Sequence, residues 1–211
     1  MFKIVSEALG DTLIMVFFST IFSVMLGFVI AIILTVTAPK GLKENKIIYK
    51  SLDVIINILR GFPFVILMVF MIPLTKALVG TYIGIIGAIV PLTIASAPFV
   101  ARVIESSLKE VDSGVVEAAK SFGATDAQII FKVMIKEAIP SIISGLTLII
   151  ISIIGYSAMA GSVGAGGLGH VAITYGYQRF QTDIMITTVI ILIIIVQGLQ
   201  SLGNYIYKKL S

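Results

Sequence analysis

The sequence lacks cysteine and tryptophan, and it contains a single histidine, His170. The absence of cysteine excludes disulfides, thiolate metal sites and thiol chemistry. A single histidine cannot build a metal site of several histidines. Without tryptophan, an aromatic belt at a membrane surface must use tyrosine and phenylalanine.

Charged side chains are also scarce. Only 12% of the 211 residues are Asp, Glu, Lys or Arg, whereas 58% are hydrophobic. A typical soluble domain carries about 25% charged residues, so this chain has too little polar surface to cover a soluble globule. The mean hydropathy of +1.10 points the same way. We therefore predict an all-α integral membrane protein, and we expect no nucleic acid among its partners.

Five apolar segments are long enough to cross a bilayer, which takes about 20 helical residues. They run over about 12–38, 52–74, 83–103, 141–160 and 184–206. The first segment is too long for the apolar core of a signal peptide and lacks a basic leader with a small-residue cleavage site. No internal repeat is visible. We predict one transmembrane domain over residues 1–211, with five transmembrane helices.

The distribution of lysine and arginine predicts the orientation, because positive residues are retained on the cytoplasmic side. With the N-terminus outside and the C-terminus inside, the inner side holds Lys40, Lys43, Lys46, Lys50, Arg102, Lys109, Lys120, Lys132, Lys136, Lys208 and Lys209. The outer side then holds Lys3, Lys76 and Arg179. This orientation places the polar loop over about 104–140, between the third and fourth spans, in the cytoplasm.

That cytoplasmic loop carries the signals of two helices joined by a turn. Asp112 and Ser113 suit a helix N-terminus. Gly123 suits the left-handed position that ends a helix. Thr125 followed by Gln128 is a capping box that begins a second helix.

The first loop helix presents a small apolar face, made of Val115, Ala118, Ala119 and Phe122. Small residues allow another backbone to approach closely, and a partner can receive such a helix in a groove. Two interpretations stay equal on these residues alone. The loop is either a hairpin packed only on its own membrane domain or a docking site for another protein.

The order Glu117-Ala118-Ala119, then three residues, then Gly123 resembles the EAA loop of ABC-importer permeases. The likeness continues to Pro140, and the loop lies before the penultimate span, as in that family. The family usually has a proline where this chain has Lys136. The resemblance implies a coupling helix that docks on a cytoplasmic ATPase subunit, formed by Glu117, Ala118, Ala119, Phe122 and Gly123.

Nearly the whole chain is similar to the methionine-type importer permease. The likeness rests on Arg60-Gly61-Phe62-Pro63-Phe64, Met71-Ile72-Pro73, Ile89-Val90-Pro91-Leu92-Thr93, Gly155-Tyr156-Ser157-Ala158-Met159 and Gly164-Ala165-Gly166-Gly167-Leu168-Gly169. It implies a multi-pass protein of the bacterial inner membrane, present as two identical subunits. Two ATPases would bind ATP and Mg²⁺, and an external binding protein would deliver an amino acid. The chain itself would hold no cofactor.

The end of the fourth span combines small residues with one flexible thioether. We predict Tyr156, Ser157 and Met159 as residues of the translocation pathway or its gate. Small residues permit close helix approach across a symmetric interface, and methionine fills irregular gaps. Lateral packing of helices alone explains the same pattern equally well.

Three other signals have ordinary explanations. The GxGxxG pattern in residues 164–169 lacks the βαβ surroundings that a dinucleotide site needs, so tight turns and close helix contacts are favoured. Arg60 lies within the second predicted span. A charged side chain there either has a function or extends along the helix so that its guanidinium reaches the membrane surface. The second interpretation is slightly favoured. Gly61 and Pro63 are expected to bend that span. His170 is expected in the outer loop.

The main alternative function is a secondary transporter driven by an ion gradient. Such proteins often hold ionisable residues at the membrane midplane, whereas Asp53 and Asp183 lie at span edges and no Asp or Glu lies mid-span. An intramembrane enzyme would need a group of catalytic side chains inside the bilayer. One loop histidine and no cysteine leave few candidates for it. An importer must take its energy from a partner, because the sequence has no Gly-x-x-x-x-Gly-Lys-[Ser/Thr] phosphate loop.

Overall fold

The computed structural model describes residues 2–210, and every regular element in that range is helical. The elements are α1 (Phe2–Thr37), α2 (Lys46–Gly61), α3 (Phe64–Phe70), α4 (Ile72–Val79), α5 (Gly84–Lys109), α6 (Ser113–Ser121), α7 (Asp126–Gln128), a π-helical segment (Ile129–Met134), α8 (Ile135–Gly161), α9 (Gly167–Val171), a second π-helical segment (Ala172–Gln178) and α10 (Thr182–Leu210). The all-α prediction is confirmed.

Four helices are long and apolar enough to cross a membrane. They are Lys3–Thr37, Gly84–Lys109, Asp126–Gly161 and Thr182–Leu210. These helices correspond to the first, third, fourth and fifth predicted spans. Each continues past at least one of the predicted limits, because hydropathy marks the hydrocarbon layer, whereas the backbone stays helical until a cap or a turn ends it.

The second predicted span, 52–74, is not one continuous helix. α2 ends at Gly61, α3 begins at Phe64, and the two helix axes are bent by 105°. Pro63 lies at the break and has no N–H to donate to a helical ladder. Phe62 takes an extended conformation. The bend predicted at Gly61 and Pro63 is confirmed, and the predicted second span is divided among the helices α2, α3 and α4.

α5 is the central helix of the fold. Its buried side chains include Leu92, Val100 and Ile104, and it packs against α1, α2 and α8. α1 approaches it so closely at Gly27 that a Cβ there would overlap the side chain of Val100. α10 buries few of its residues, so most of its apolar surface is available to lipid.

The loop after α5 folds as its local signals predict. The Asp112 carboxylate accepts a hydrogen bond from the Gly114 N–H at 2.6 Å and caps α6. Gly123 ends that helix with φ +77°. Both hydrogen bonds of the capping box between Thr125 and Gln128 are present. These signals are local in sequence, so they could be interpreted without knowing the tertiary fold.

The second loop helix does not stop before the fourth span. One continuous helical run extends from Asp126 to Gly161 and passes through Pro140, with the π-helical segment near its start. Membrane helices tolerate proline where neighbouring packing satisfies the freed backbone groups. The predicted boundary at 140–141 therefore lies inside one helix and not at a helix end.

The glycine-rich stretch at 164–169 makes a tight turn before α9. Gly164 and Gly166 have positive φ, and a Cβ on Gly169 would overlap the backbone of Ala158 in α8. Within residues 2–210 no strand precedes this turn, so the interpretation as a turn and close helix contact is confirmed. His170, expected in a loop, instead lies half-buried in the short helix α9.

Candidate functional site

α6 lies on the surface of the chain, and none of its residues is fully buried. One side of the helix faces the protein, where Val116 and Ala119 pack against a core cluster that contains Leu108 and Ile129. Of the two alanines predicted to dock, Ala119 is therefore half-covered by its own chain. Its small side chain lets α6 lie close to that core.

The opposite side of α6 carries an exposed apolar ridge. Val115, Ala118 and Phe122 recur at positions i, i+3 and i+7, which share one face of a helix. Phe122 is 91% exposed and Val115 is 42% exposed, and Ala118 is exposed between them. We call these three residues the α6 ridge. Glu117 is also exposed.

The end of α6 is fixed by backbone hydrogen bonds. The Gly123 N–H donates to the Lys120 carbonyl at 2.9 Å, and the Ala124 N–H donates to the Ala119 carbonyl at 3.1 Å. This pair of bonds is a Schellman motif, in which the residue at the Gly123 position must adopt a left-handed conformation. The direction in which the chain leaves α6 is thereby set by Gly123.

The three predicted pathway residues do not share one surface. The Tyr156 ring stacks on Phe64 of α3 with centroids 4.9 Å apart. Ser157 is buried, and its hydroxyl donates to the Ile154 carbonyl at 2.8 Å. Met159 is 48% exposed. One face of α8 thus carries Tyr156 and Met159, whereas Ser157 takes part in helix packing.

Glu105 places a buried carboxylate near the end of α5 that leads to α6. The residue is 1% exposed. Its Oε1 accepts from Lys109 Nζ at 2.6 Å and from the Tyr49 hydroxyl at 3.1 Å, and its Oε2 accepts from Arg102 Nη1 at 2.7 Å. An unpaired carboxylate in this position would carry a large desolvation penalty, and these three donors offset it.

Arg102 extends this network to α2. Its Nη2 donates to the Asp53 carboxylate and to Asn57 Oδ1, the latter at 3.3 Å. Tyr49 also belongs to α2, so polar contacts at three α2 positions join that helix to α5. Within residues 2–210, no group of three or more His, Asp and Glu side chains is arranged to hold a metal ion.

Residues 23–211 match the family model described as the binding-protein-dependent transport system inner membrane component. The chain belongs to this family. It is 48% identical over 204 residues to a probable D-methionine transport system permease protein MetI of Vibrio cholerae, a match that covers 97% of this chain and 91% of the relative. It is 44% identical to the methionine import system permease protein MetP of Bacillus subtilis, over 82% of this chain and 78% of that protein.

The fold of this inner membrane component also agrees with a solved structure. A chain from inward-facing conformations of the MetNI methionine ABC transporter (CY5 native crystal form) superposes with a TM-score of 0.98 at 40% identity. The match covers 100% of this chain and 98% of that chain. The two chains therefore share one architecture over nearly their full lengths.

Sequence reasoning missed the Glu105 network of this inner membrane component. One signal was available, because Arg102 and Lys109 lie three residues before and four residues after Glu105, a spacing that pairs side chains on one helix face. The partners on α2, Tyr49 and Asp53, carry no comparable signal. They are far away in sequence, and only the packing of α2 on α5 brings them to the carboxylate.

Replacing Glu105 by Gln should destabilise the protein, because Lys109 and Arg102 lose the carboxylate that they share. Removing one partner of a buried ion pair costs about 3–5 kcal/mol, and the low end applies because both cations are partly exposed. The matched control Glu44→Gln removes an exposed pair with Lys46, which contributes about 0–1 kcal/mol. Thermal unfolding of the purified variants in detergent measures the difference, and equal melting temperatures would contradict this account.

Proposed function

We propose that this chain is the membrane-spanning permease subunit of an ABC importer for methionine. The observation that carries the proposal is the end-to-end agreement with a chain of the MetNI methionine ABC transporter. The relatives described as methionine permeases support the same substrate. The family is an inner membrane component, which supports a location in the bacterial inner membrane.

The proposed complex contains two copies of this chain, two ATPase subunits and an external binding protein that delivers the amino acid. The sequence has no Gly-x-x-x-x-Gly-Lys-[Ser/Thr] phosphate loop. ATP and Mg²⁺ therefore belong to the ATPase subunits, and this chain converts their movement into transport without being an enzyme itself.

The α6 ridge is the proposed contact with the ATPase. A water-facing phenylalanine such as Phe122 carries a large apolar area that a groove on a partner would bury. Ala118 lets the partner approach the helix backbone, and Ala119 supports the ridge from its inner side. Gly123 holds the end of the helix in place. Glu117 is exposed beside the ridge and can pair with a basic group on the ATPase.

The proposed topology has five crossings, with the N-terminus outside and the C-terminus inside. The four long helices supply four crossings, and the bent pair of α2 and α3 supplies the fifth. The excess of basic residues at one end of these helices supports the orientation. This orientation places the α6 loop in the cytoplasm, where ATP is available to an ATPase subunit.

The proposed pathway lies between the two copies of the chain. Met159 is 48% exposed on the isolated subunit, as a gate residue on a two-fold axis must be before the second copy covers it. The stacked pair of Tyr156 and Phe64 lies one helical turn from Met159 and lines the path towards the cytoplasm. Ser157 packs the helix that carries the gate.

The topology can be tested with single cysteines in this cysteine-free chain. Lys43, Lys76, Lys120 and Arg179 are all exposed, so each position is open to a thiol reagent. In intact cells, an impermeant reagent should label cysteines at 76 and 179 and should spare those at 43 and 120. Permeabilised cells should show all four labelled. Labelling of 43 and 120 in intact cells would refute the proposed orientation.

The importer assignment and the docking surface can be tested together. Cells without a methionine importer, given this permease with its ATPase and binding protein, should accumulate labelled methionine. Ala118→Asp places a charge in the centre of the α6 ridge, so uptake should fall by about tenfold or more, as expected when an interface buries an unpaired charge. The ATPase should also co-purify less.

The matched control is Ala127→Asp, which adds the same charge at another exposed alanine of the loop, outside the ridge. This variant should keep its uptake and its ATPase. Equal uptake by the two variants would exclude the ridge as the docking surface. Absence of uptake by the wild-type complex, with all subunits assembled, would exclude methionine import.

A further inference from the structure

A cavity of about 400 Å³ lies between the end of α2, the middle of α5 and α8. Ligand pockets in proteins have volumes of about 300–1,000 Å³, so this cavity is large enough for an amino acid. The side chains that matter for its chemistry are Arg60, Ser96, Phe99, Arg102, Ser152 and Tyr156. The described residues that line it include no Asp or Glu.

Arg60 supplies this cavity with a positive charge that no carboxylate neutralises. The guanidinium carbon lies 5.0 Å from the ring centroid of Phe99, and among residues 2–210 no acidic group lies within salt-bridge distance of it. Arg102 differs, because Asp53 and Glu105 already bind its guanidinium. Arg60 is therefore the cation in the cavity that is available to an anionic ligand.

Ser96 is a buried polar residue in the wall of the cavity. The residue is 1% exposed, lines the cavity, and its hydroxyl has no hydrogen-bond partner among the described residues. A buried hydroxyl without a partner costs free energy, even though a serine in a helix can usually bond back to its own helix. The hydroxyl oxygen has almost no accessible surface, so the Ser96 side chain must rotate towards the cavity before a polar ligand atom can satisfy it.

We infer that the cavity is a binding site for the transported amino acid inside the membrane domain, and that Arg60 holds its α-carboxylate. The inference rests on the proposed function. Ser96 rotates its hydroxyl towards the ligand and donates a hydrogen bond to it, while the rings of Phe99 and Tyr156 contact its apolar side chain. A thioether is well suited to this lining, because sulfur makes favourable contacts with aromatic rings.

The residues that line the cavity also predict which group of the amino acid is needed for binding. A guanidinium binds a carboxylate through charge-assisted hydrogen bonds, whereas the described lining holds no carboxylate to pair with an α-ammonium. The site should therefore accept N-acetyl-L-methionine, in which the carboxylate is kept and the amine is blocked. It should reject L-methioninol, in which the carboxylate is replaced by a hydroxymethyl group.

Cysteine protection tests this site without the binding protein. Ser152 is exposed and lines the cavity, so Ser152→Cys in the purified permease–ATPase complex should react with a methanethiosulfonate reagent. L-methionine and N-acetyl-L-methionine should slow this reaction, and L-methioninol should not. Ser201→Cys, exposed on α10 and outside the cavity, should react at a rate that none of the three compounds changes.

Arg60→Gln in the Ser152→Cys background should weaken protection by L-methionine about tenfold to a hundredfold, the amount expected when a hydrogen bond to a charged group is lost. Arg60→Lys keeps the charge and should retain part of the protection. Co-purification of the ATPase shows that both variants are folded. Protection that persists in Arg60→Gln, or that L-methioninol provides equally well, would overturn the inference.

Parallel uptake measurements separate this inference from the proposed function. If the wild-type complex with its binding protein imports methionine but methionine gives no protection, the site is refuted and the importer assignment stands. If the assembled wild-type complex imports no methionine, the proposed function fails and the site fails with it.

Discussion

The buried carboxylate of Glu105 is the constraint that holds α2 to the end of α5, next to the segment that leads to α6. A charge removed from water must be paired, or it destabilises the fold by several kcal/mol, on the order of the stability of a whole domain. Lys109, Arg102 and Tyr49 surround this carboxylate. Because Tyr49 lies on α2 and Lys109 is the last residue of α5, one cluster fixes the position of α2, the end of α5 and the start of the segment that leads to α6.

This arrangement joins the α6 ridge, proposed to dock the ATPase, and the proposed site at Arg60 to the same pair of helices. The α6 ridge begins a few residues after Lys109, and Arg60 lies in the last turn of α2, beyond Asp53 and Asn57 on the same helix. In the proposed complex, a displacement of α6 by the ATPase would act on α2 and α5, which also line the cavity around Arg60. The short break at Gly61–Pro63 lets rigid helices change direction without leaving a long stretch of backbone unpaired, which a bilayer does not tolerate.

The sequence predicts the parts of this structure that depend on composition or on neighbouring residues. Scarcity of charge predicts a membrane protein, and Asp112, Gly123 and Thr125 predict the two loop helices and the turn between them, because caps act within a few residues. The bend at Pro63 is predictable for the same reason, but its angle of 105° is not, since tertiary packing sets it. The split between Ala118, which faces outwards, and Ala119, which faces the core, also depends on where the loop packs. The spacing of Arg102 and Lys109 around Glu105 reveals only the part of that network within α5. Its partners on α2 and the cavity at Arg60 depend on helices that are distant in sequence, so no local pattern reveals them.

The central claim is that this chain carries methionine across the membrane with energy from a partner's ATP. The most direct measurement uses liposomes that contain the permease and its ATPase, with the binding protein and labelled methionine outside and ATP enclosed. The account predicts uptake that requires both the binding protein and ATP and that continues when ionophores dissipate proton and sodium gradients. Methionine uptake by the permease alone, driven by an imposed proton or sodium gradient without ATP, would contradict it.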